Sequence, residues 1–179
     1  MPNLAANLTM LFGEVDFLER FEAAADAGFR GVEFLFPYAY EAQVLKSRLR
    51  DNGLVLALHN LPAGNWGAGE RGIACHPDRV DEFKDGVDQA MAYAGVLGCE
   101  RVNCLAGILP PNVDAAAARH TLVENLRYAA PRLQSAGIRL LIEPINTPDV
   151  PRFFLSGTAQ AIEIMDAVGS DNLQLQYDI

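Results

Sequence analysis

Short apolar runs alternate with longer amphipathic stretches along the whole chain. A glycine stands between each amphipathic stretch and the apolar run that follows it, and these glycines are Gly28, Gly53, Gly98, Gly137 and Gly169. Glycine is favoured just after the end of a helix because it adopts positive φ at little steric cost. The pattern therefore predicts a repeated unit in which a helix, a glycine and a strand follow one another.

Six strands are predicted from the apolar runs. They cover residues 4 to 10, 31 to 36, 54 to 59, 101 to 105, 139 to 143 and 173 to 178. Most of these runs are nearly continuous in apolar side chains instead of alternating with polar ones. Such runs are typical of strands in a parallel sheet that helices cover.

Five helices are predicted between the strands. They cover residues 16 to 27, 40 to 51 and 78 to 97, a fourth stretch after Asp114 and a fifth from Thr158. Asp16 with Glu19 has the spacing of a capping box, and Thr158 is a suitable N-cap residue. Pro131 lies inside the fourth helix and is expected to kink it or to end its regular hydrogen bonding early.

The alternation of strands and helices predicts an α/β fold with a parallel sheet. A doubly wound nucleotide-binding sheet has a glycine-rich loop after its first strand, and residues 7 to 14 contain no such loop. We therefore predict a single domain over residues 1–179 of the (β/α)8 TIM-barrel type. A complete barrel has eight units and typically about 250 residues. The sequence contains about six units, so we expect an incomplete barrel with unpaired, apolar edge strands.

Composition narrows the class of function. The formal net charge of −9 disfavours a nucleic-acid partner, since phosphate binding relies on clustered Lys and Arg. An anionic substrate therefore needs local positive charge. No apolar run approaches the length of a membrane span and the chain begins without a basic signal region, so we expect a cytoplasmic protein with no membrane partner. The three cysteines form neither a disulfide framework nor a zinc pattern.

Polar and charged side chains lie at the ends of the predicted strands. They are Asn7, Glu33, His59, Asn103, Glu143 and Asp178. In β/α barrels the functional site forms at the carboxyl ends of the strands, and a charge at the mouth of a buried strand needs a partner or a metal ion. Alternatives stay open for single residues: the carboxylates as caps of the following turns, His59 as a hydrogen-bonded structural residue, and Glu33 as an interior or capping charge.

The longest connection covers residues 60 to 77 and contains Trp66, Glu70 and Arg71. Long loops in compact domains are often lids or binding segments. An apolar ring, flexible glycines and an arginine fork suit closure over a small carboxylate substrate. A surface excursion with a solvated ion pair is the alternative.

Several motifs resemble those of hydroxypyruvate isomerases, which are xylose-isomerase-like barrels. The similarity runs nearly end to end. It is carried by residues 7 to 16, 31 to 34, 59 to 64, 68 to 75, 122 to 130, 142 to 146 and 176 to 179. The loop Gly69-Glu70-Arg71-Gly72-Ile73-Ala74 is its most specific part. The resemblance implies an isomerase of glyoxylate metabolism that interconverts hydroxypyruvate and 2-hydroxy-3-oxopropanoate (tartronate semialdehyde).

The resemblance also implies roles for individual residues. Glu143 matches an acid/base glutamate that also binds a divalent ion, Mg²⁺ or Mn²⁺, and Asp178 matches a second metal ligand. The candidates for binding the small hydroxy-oxo acid substrate are His59, Trp66, Glu70, Arg71 and Asn103. The family's second glutamate and a further ligand belong to strands seven and eight. We therefore expect the 179 residues alone to be inactive. The resemblance allows a homo-oligomer.

The chemistry agrees with these residue types. Moving a proton between adjacent carbons of an α-hydroxy ketone passes through an enediolate, which a divalent ion held by carboxylates stabilises. A carboxylate is a suitable group to remove and return the proton. Two alternatives remain: a 2-oxo-tetronate isomerase or related sugar isomerase or epimerase of the same fold, and a non-catalytic incomplete barrel. A DNA-repair endonuclease is disfavoured by the net charge of −9.

Overall fold

The computed structural model describes residues 3–177. Six strands form one sheet, and every strand is parallel to its neighbour and follows it in chain order. The strands are β1 (Ala5–Asn7), β2 (Gly31–Glu33), β3 (Val55–Asn60), β4 (Arg101–Cys104), β5 (Arg139–Ile142) and β6 (Leu173–Leu175). The predicted parallel order is confirmed, although several strands are shorter than the apolar runs that predicted them.

Helices connect the successive strands. They are α1 (Arg20–Asp26), α2 (Ala42–Asp51), α3 (Val80–Leu97), α4 (Ala115–Ser135) and α5 (Thr158–Val168). None of the helices within residues 3–177 is long and apolar enough to cross a membrane.

The glycines that separate the helices from the strands all have positive φ, from +63° to +89°. Gly98 and Gly169 are the C-cap residues of α3 and α5, and their N–H groups donate to the carbonyls of Ala94 and Met165. The predicted role of these glycines is therefore confirmed. Each one ends a helix in a conformation that other residues adopt only with strain.

Two local predictions about the helices are wrong, those for the starts of α1 and α5, and α4 does not end at Pro131. Helix α1 begins at Arg20 and not at residue 16, because the Arg20 side chain donates to the carbonyls of Leu8 and Val15 and holds the preceding segment in turns. The N-cap of α5 is Gly157, with Thr158 already helical. Helix α4 continues beyond Pro131 to Ser135. The burial of Leu133 in the core offsets the hydrogen bond that proline cannot donate.

The two faces of the sheet are packed differently. The face toward the helices carries fully buried apolar side chains, among them Ala6, Val32, Val102 and Leu140. The opposite, concave face lines an open cavity of about 1100 Å³ toward the amino ends of the strands. Val55 lies on this concave face and is 65% exposed. The core therefore lies between the sheet and the helices.

Strand β3 contains a register irregularity that decides which side chains face the cavity. Val32 of β2 pairs with Leu56, whereas the next residue, Glu33, pairs with Leu58. The extra residue, Ala57, shifts the alternation of side chains between the two faces, as a β-bulge does. As a result Leu58 and Asn60 lie on the concave face, and His59 lies on the helix side.

Candidate active site

Polar side chains gather on the concave face at the carboxyl ends of the strands. Register places Asn7 beside Glu33 and Asn60 beside Asn103, and residues that pair directly in a parallel sheet share a face. Asn103 pairs with Leu141, two residues before Glu143, and Leu141 pairs with Gln174, two residues before Gln176. Strand geometry thus collects one polar set, which consists of Asn7, Glu33, Asn60, Asn103, Glu143 and Gln176.

A hydrogen-bonded chain connects three of these side chains across β3, β4 and the end of β5. Asn103 Nδ2 donates to Glu143 Oε2 at 2.8 Å and to Asn60 Oδ1 at 3.3 Å. Asn60 and Asn103 are 3% and 0% exposed, so both amides are enclosed by neighbouring atoms. The arrangement holds the Glu143 carboxylate beside the Asn103 amide just after the end of β5.

Two amide atoms of the hydrogen-bonded residues Asn60 and Asn103 have no hydrogen-bond partner among the described residues. They are Asn60 Nδ2 and Asn103 Oδ1, and Gln176 Oε1 shares this property. Buried polar atoms without partners cost free energy, so such groups are uncommon in folded proteins and call for an explanation. Three of these atoms lie at the carboxyl ends of the strands, and a fourth among the described residues, His59 Nε2, lies on the helix side of β3.

A second pair of polar residues lies across β1 and β2. Asn7 Nδ2 donates to Glu33 Oε1 at 2.9 Å, and Glu33 lines the interior cavity. The structure therefore places Glu33 as an interior charge, which was one of the alternatives open from the sequence. Thr9 supports the same corner, since its hydroxyl accepts from the backbone N–H of Leu35 at 2.9 Å.

His59 does not belong to the polar set and is fully buried, so its expected contact with substrate stays a prediction that the structure does not favour. Its ring lies among the helix-side residues, with Nδ1 3.1 Å from the Asn60 carbonyl and the Tyr38 ring 6.1 Å away between centroids. Burial lowers the pKa of His59 to about 4, although the hydrogen bond to the Asn60 backbone acts in the opposite direction. His59 is therefore neutral at physiological pH and has a structural position.

Asn60 takes the place that the sequence had suggested for His59. The sequence favoured His59 because it is the last residue of the apolar run 54 to 59, and an unbroken alternation would place Val55, Ala57 and His59 on the same face. The bulge in β3 reverses this parity after Leu56. Gln176 was also missed, and the signal that could have found it is its position two residues after Gln174 on the concave face.

The loop of residues 60 to 77 brings Trp66 and Arg71 together. The Arg71 guanidinium carbon lies 4.1 Å from the centroid of the Trp66 ring, and the Phe36 ring lies 5.0 Å from it. Arg71 also donates to the carbonyls of Trp66 and Glu70 at 3.2 Å and 2.8 Å. The Arg71 side chain is thus held in place by stacking and by its own loop.

The partly exposed Glu70 carboxylate is engaged by its own loop and by Arg79. Its two oxygens accept from the backbone N–H of Asn65 and from the guanidinium of Arg79. Partial burial acts to raise the pKa of Glu70, but the hydrogen bonds from Asn65 and Arg79 lower it overall. Glu70 therefore ties Asn65 of its own loop to Arg79, and its expected contact with substrate stays a prediction.

The base of this loop is fixed to the neighbouring loop. Gly72 forms an antiparallel bridge with Ala106, and the Cys75 N–H donates to the Ala106 carbonyl at 2.9 Å. Gly72 has φ +113°, and a Cβ there would overlap the Leu105 carbonyl. Ile73, Ala74 and Cys75 are buried. Only the tip around Trp66 is exposed, so movement of the whole segment as a hinged lid is not favoured.

The described residues supply oxygen atoms suited to Mg²⁺ or Mn²⁺, but too few to hold an ion tightly. Glu143 provides a carboxylate, and Gln176 provides a buried amide oxygen that has no hydrogen-bond partner in residues 3–177. No group of three or more His, Cys, Asp or Glu side chains that could hold a metal ion occurs in that range. Such ions prefer about six or more oxygen ligands. Asp178, the other predicted ligand, lies outside the described residues.

Comparison with protein families shows the family to which the chain belongs. Residues 21–179 match the family described as xylose isomerase-like TIM barrel. The chain belongs to this family. The predicted TIM-barrel type of fold is thereby confirmed, with six strands present in the residues that the structure describes.

Relatives of this family with high sequence identity are isomerases. Hydroxypyruvate isomerase from Escherichia coli (strain K12) is 57% identical over 179 residues, which are 100% of this chain and 69% of that protein. A 2-oxo-tetronate isomerase from Cupriavidus necator is 47% identical, with 99% of this chain and 68% of that protein covered. The similarity to hydroxypyruvate isomerases that the motifs indicated is confirmed, and the chain is a homologue of isomerase enzymes.

A solved structure agrees closely with the fold. The crystal structure of an AP endonuclease, family 2, from Brucella melitensis is 44% identical and has a TM-score of 0.97. The match covers 100% of the present chain and 69% of the Brucella melitensis chain. The sheet and helices described above therefore correspond to about two thirds of this longer solved chain.

Proposed function

We propose that this xylose isomerase-like chain carries part of the active site of a hydroxypyruvate isomerase, with Glu143 as the acid/base group. The observation that carries the proposal is the Glu143 carboxylate, held at 2.8 Å by the buried Asn103 amide at the carboxyl end of the parallel strands. This edge of a β/α barrel is where catalytic groups lie. The 57% identity to a hydroxypyruvate isomerase supports the choice of substrate.

The proposed reaction requires one proton to move between adjacent carbons. Glu143 removes a proton from the hydroxymethyl carbon of hydroxypyruvate, and the electron pair of the broken C–H bond forms the enediolate double bond. The proton then returns to the former carbonyl carbon. The former hydroxyl oxygen gives its proton to the former carbonyl oxygen, which becomes the hydroxyl of tartronate semialdehyde, and itself becomes the aldehyde oxygen. A single positioned carboxylate typically contributes about 10²–10⁴-fold to such a step.

We infer that Glu143 and Asp178 contribute ligands to a divalent ion, Mg²⁺ or Mn²⁺. Supporting this inference are the oxygen chemistry of these side chains and the buried Gln176 oxygen that has no partner among the described residues. When bound, such an ion supplies positive charge that stabilises an enediolate. With so few ligands, the 179 residues are expected to bind Mn²⁺ weakly.

Positive charge for the substrate carboxylate is available at the same rim. Arg71 and Arg152 line one cleft of about 290 Å³, formed by the loops that follow β3, β4 and β5. Arginine suits this task because its planar fork can form two parallel hydrogen bonds with a carboxylate. We propose that Arg71 and Trp66 contribute to binding a small hydroxy-oxo acid, and that nucleic acid is not a partner of this chain of net charge −9. A cytoplasmic location is consistent with such an activity.

A 2-oxo-tetronate isomerase is the second candidate function. It is favoured by the 47% identity to the Cupriavidus necator enzyme with that activity in its name. The two reactions have the same chemical step and differ in the length of the substrate. Glu143 therefore has the same role in both, and only the substrate preference separates them.

The test uses a completed barrel in which the C-terminal part of the E. coli relative is joined to this chain. We expect Mg²⁺- or Mn²⁺-supported conversion of hydroxypyruvate to tartronate semialdehyde, reduced about 10²–10⁴-fold by Glu143→Gln. Glu163→Gln is the matched control, since Glu163 lies exposed on α5. Equal turnover by the Glu143→Gln variant would refute the role of Glu143, and preference for 2-oxo-tetronates would select the second candidate.

A further inference from the structure

Asn60 is two hydrogen bonds away from the proposed acid/base group. Its Oδ1 accepts from Asn103 Nδ2 at 3.3 Å, and the same nitrogen donates to Glu143 Oε2 at 2.8 Å. The three side chains come from different parts of the sheet, namely β3, β4 and the end of β5. None of these contacts is needed to pair the strands, whose backbone bonds are made independently.

Hydrogen-bonding chemistry fixes the orientation of both amides. An ionised carboxylate only accepts hydrogen bonds, so the Asn103 atom that faces Glu143 is the NH₂ group. The second proton of that NH₂ group needs an acceptor, and Asn60 Oδ1 is placed to accept it. An asparagine amide can adopt two orientations in which its oxygen and its NH₂ group exchange places. The hydrogen bond to Asn60 Oδ1 favours one of these orientations for Asn103.

Burial makes this orientation persistent. Asn60 and Asn103 are 3% and 0% exposed, so water does not compete for the amide atoms. If the Asn103 amide turned over, its oxygen would face the Glu143 carboxylate and two acceptors would repel each other. The present orientation leaves Asn103 Oδ1 and Asn60 Nδ2 without partners in the described part of the chain. These two buried atoms therefore lower the stability of the folded protein.

We propose that Asn60 is a positioning residue for the isomerase reaction. Through the Asn103 amide it sets the place and the rotation of the Glu143 carboxylate, without touching the substrate. This inference rests on the proposed function of Glu143. Proton transfer depends strongly on the distance and angle between carboxylate and carbon, and a displacement of about 1 Å can cost on the order of 100-fold in rate.

The kinetic test compares Asn60→Leu with the parent protein in the completed barrel. We expect kcat to fall about 10- to 100-fold while KM changes less than about 3-fold, because substrate contacts remain and only the geometry of the carboxylate is lost. Asn60→Ser, which is too short to reach Asn103, is the second variant in case the leucine impairs folding, and the same result is expected from it.

Asn172→Leu is the matched control. Asn172 also donates through Nδ2 to two acceptors, the carbonyls of Ala130 and Ile138 at 3.0 Å and 2.9 Å, but it lies before β6 at the opposite end of the sheet. We expect this variant to lose stability and to keep kcat. If Asn172→Leu and Asn60→Leu lowered kcat equally at equal loss of stability, Asn60 would have only a structural role and the proposal would be overturned.

A spectroscopic measurement on the 179-residue protein separates this proposal from the proposed function. In Asn60→Leu the Asn103 side-chain amide protons should exchange faster, and the ¹³C resonance of the Glu143 carboxylate should shift. Unchanged signals overturn the proposal whether or not the enzyme turns over hydroxypyruvate. Shifted signals together with an inactive completed barrel would support the coupling of Asn60 to Glu143. The same result would refute only the isomerase assignment.

Discussion

The two faces of the sheet differ in how completely this chain covers them. On the helix side, Ala6, Val32, Val102 and Leu140 are fully buried by helices of the same chain. On the concave side, polar residues form a connected set only at the carboxyl ends of the strands, and an open cavity of about 1100 Å³ lies below them. Stability is thus concentrated on one face, and the candidate chemistry lies on the other.

This difference separates two kinds of substitution. A change on the helix side removes packing and should act on the free energy of unfolding. A change on the concave side at the strand ends should act mainly on catalysis, because the side chains there are held by hydrogen bonds such as that from Asn103 to Glu143.

Leu140→Ala should give the largest effect on stability. Leu140 is 0% exposed on the helix side of β5. Truncation of such a leucine leaves a cavity and typically costs about 2–5 kcal/mol. The matched substitution on the concave face is Val55→Ala, where the side chain is 65% exposed and the expected cost is below about 1 kcal/mol. Urea unfolding of both variants measures the difference, and equal costs would contradict the contrast between the faces.

His59 should make the protein sensitive to acid. Its pKa is lowered from 6.5 to about 4 by burial, so the unfolded chain binds a proton more readily than the folded protein. Stability from this residue is present above about pH 6.5 and is lost as the pH falls toward 4, by on the order of 3 kcal/mol in total. His59→Leu should flatten the pH dependence of the unfolding free energy between these values. An unchanged slope would place His59 in a solvated position.

Gly72→Ala tests the loops that join the two faces at the rim. Gly72 has φ +113° and no room for a Cβ beside the Leu105 carbonyl. The strain of a left-handed conformation is about 1–3 kcal/mol. Gly67→Ala in the same loop is the control, since its Cβ would meet only the Asn65 side-chain oxygen at 3.6 Å. Thermal unfolding of both should show a loss for Gly72→Ala alone.

Glu70→Gln should give the smallest effect. The ion pair of Glu70 with Arg79 has side chains that are 32% and 22% exposed, and Arg79 retains a second partner in Glu82. Partly exposed pairs of this kind typically contribute about 0–1 kcal/mol. Chemical unfolding at low and high salt measures the contribution. A loss of several kcal/mol would mean that the pair supports the loop far more than its exposure suggests.

Much of the fold could be predicted from the sequence, because the signals are local. Gly98 and Gly169 mark helix ends, and the apolar run before Glu143 marks a buried strand, so strand order and parallel pairing followed. Glu143 and Asn103 were found for the same reason, since both stand at the ends of such runs. Their direct contact depends on strand register, which single runs do not encode.

The errors arise where tertiary contacts decide the local structure. The bulge at Ala57 exchanges the faces of His59 and Asn60, and it depends on how β3 fits against β2. Nothing in the apolar run 54 to 59 distinguishes a bulged from a regular strand. The late start of α1 depends similarly on contacts of Arg20 with the carbonyls of Leu8 and Val15. These partners lie 12 and five residues before Arg20, and no local sequence pattern marks either contact.

The most direct measurement is the turnover of hydroxypyruvate by the 179 residues alone and by the completed barrel, under the same Mg²⁺ or Mn²⁺ conditions. The account places one acid/base carboxylate, Glu143, on a concave face that these residues leave open to water. It predicts no detectable tartronate semialdehyde from the 179 residues, and turnover in the completed barrel that is lost in Glu143→Gln. Turnover by the 179 residues near that of the completed barrel, abolished by Glu143→Gln, would contradict it.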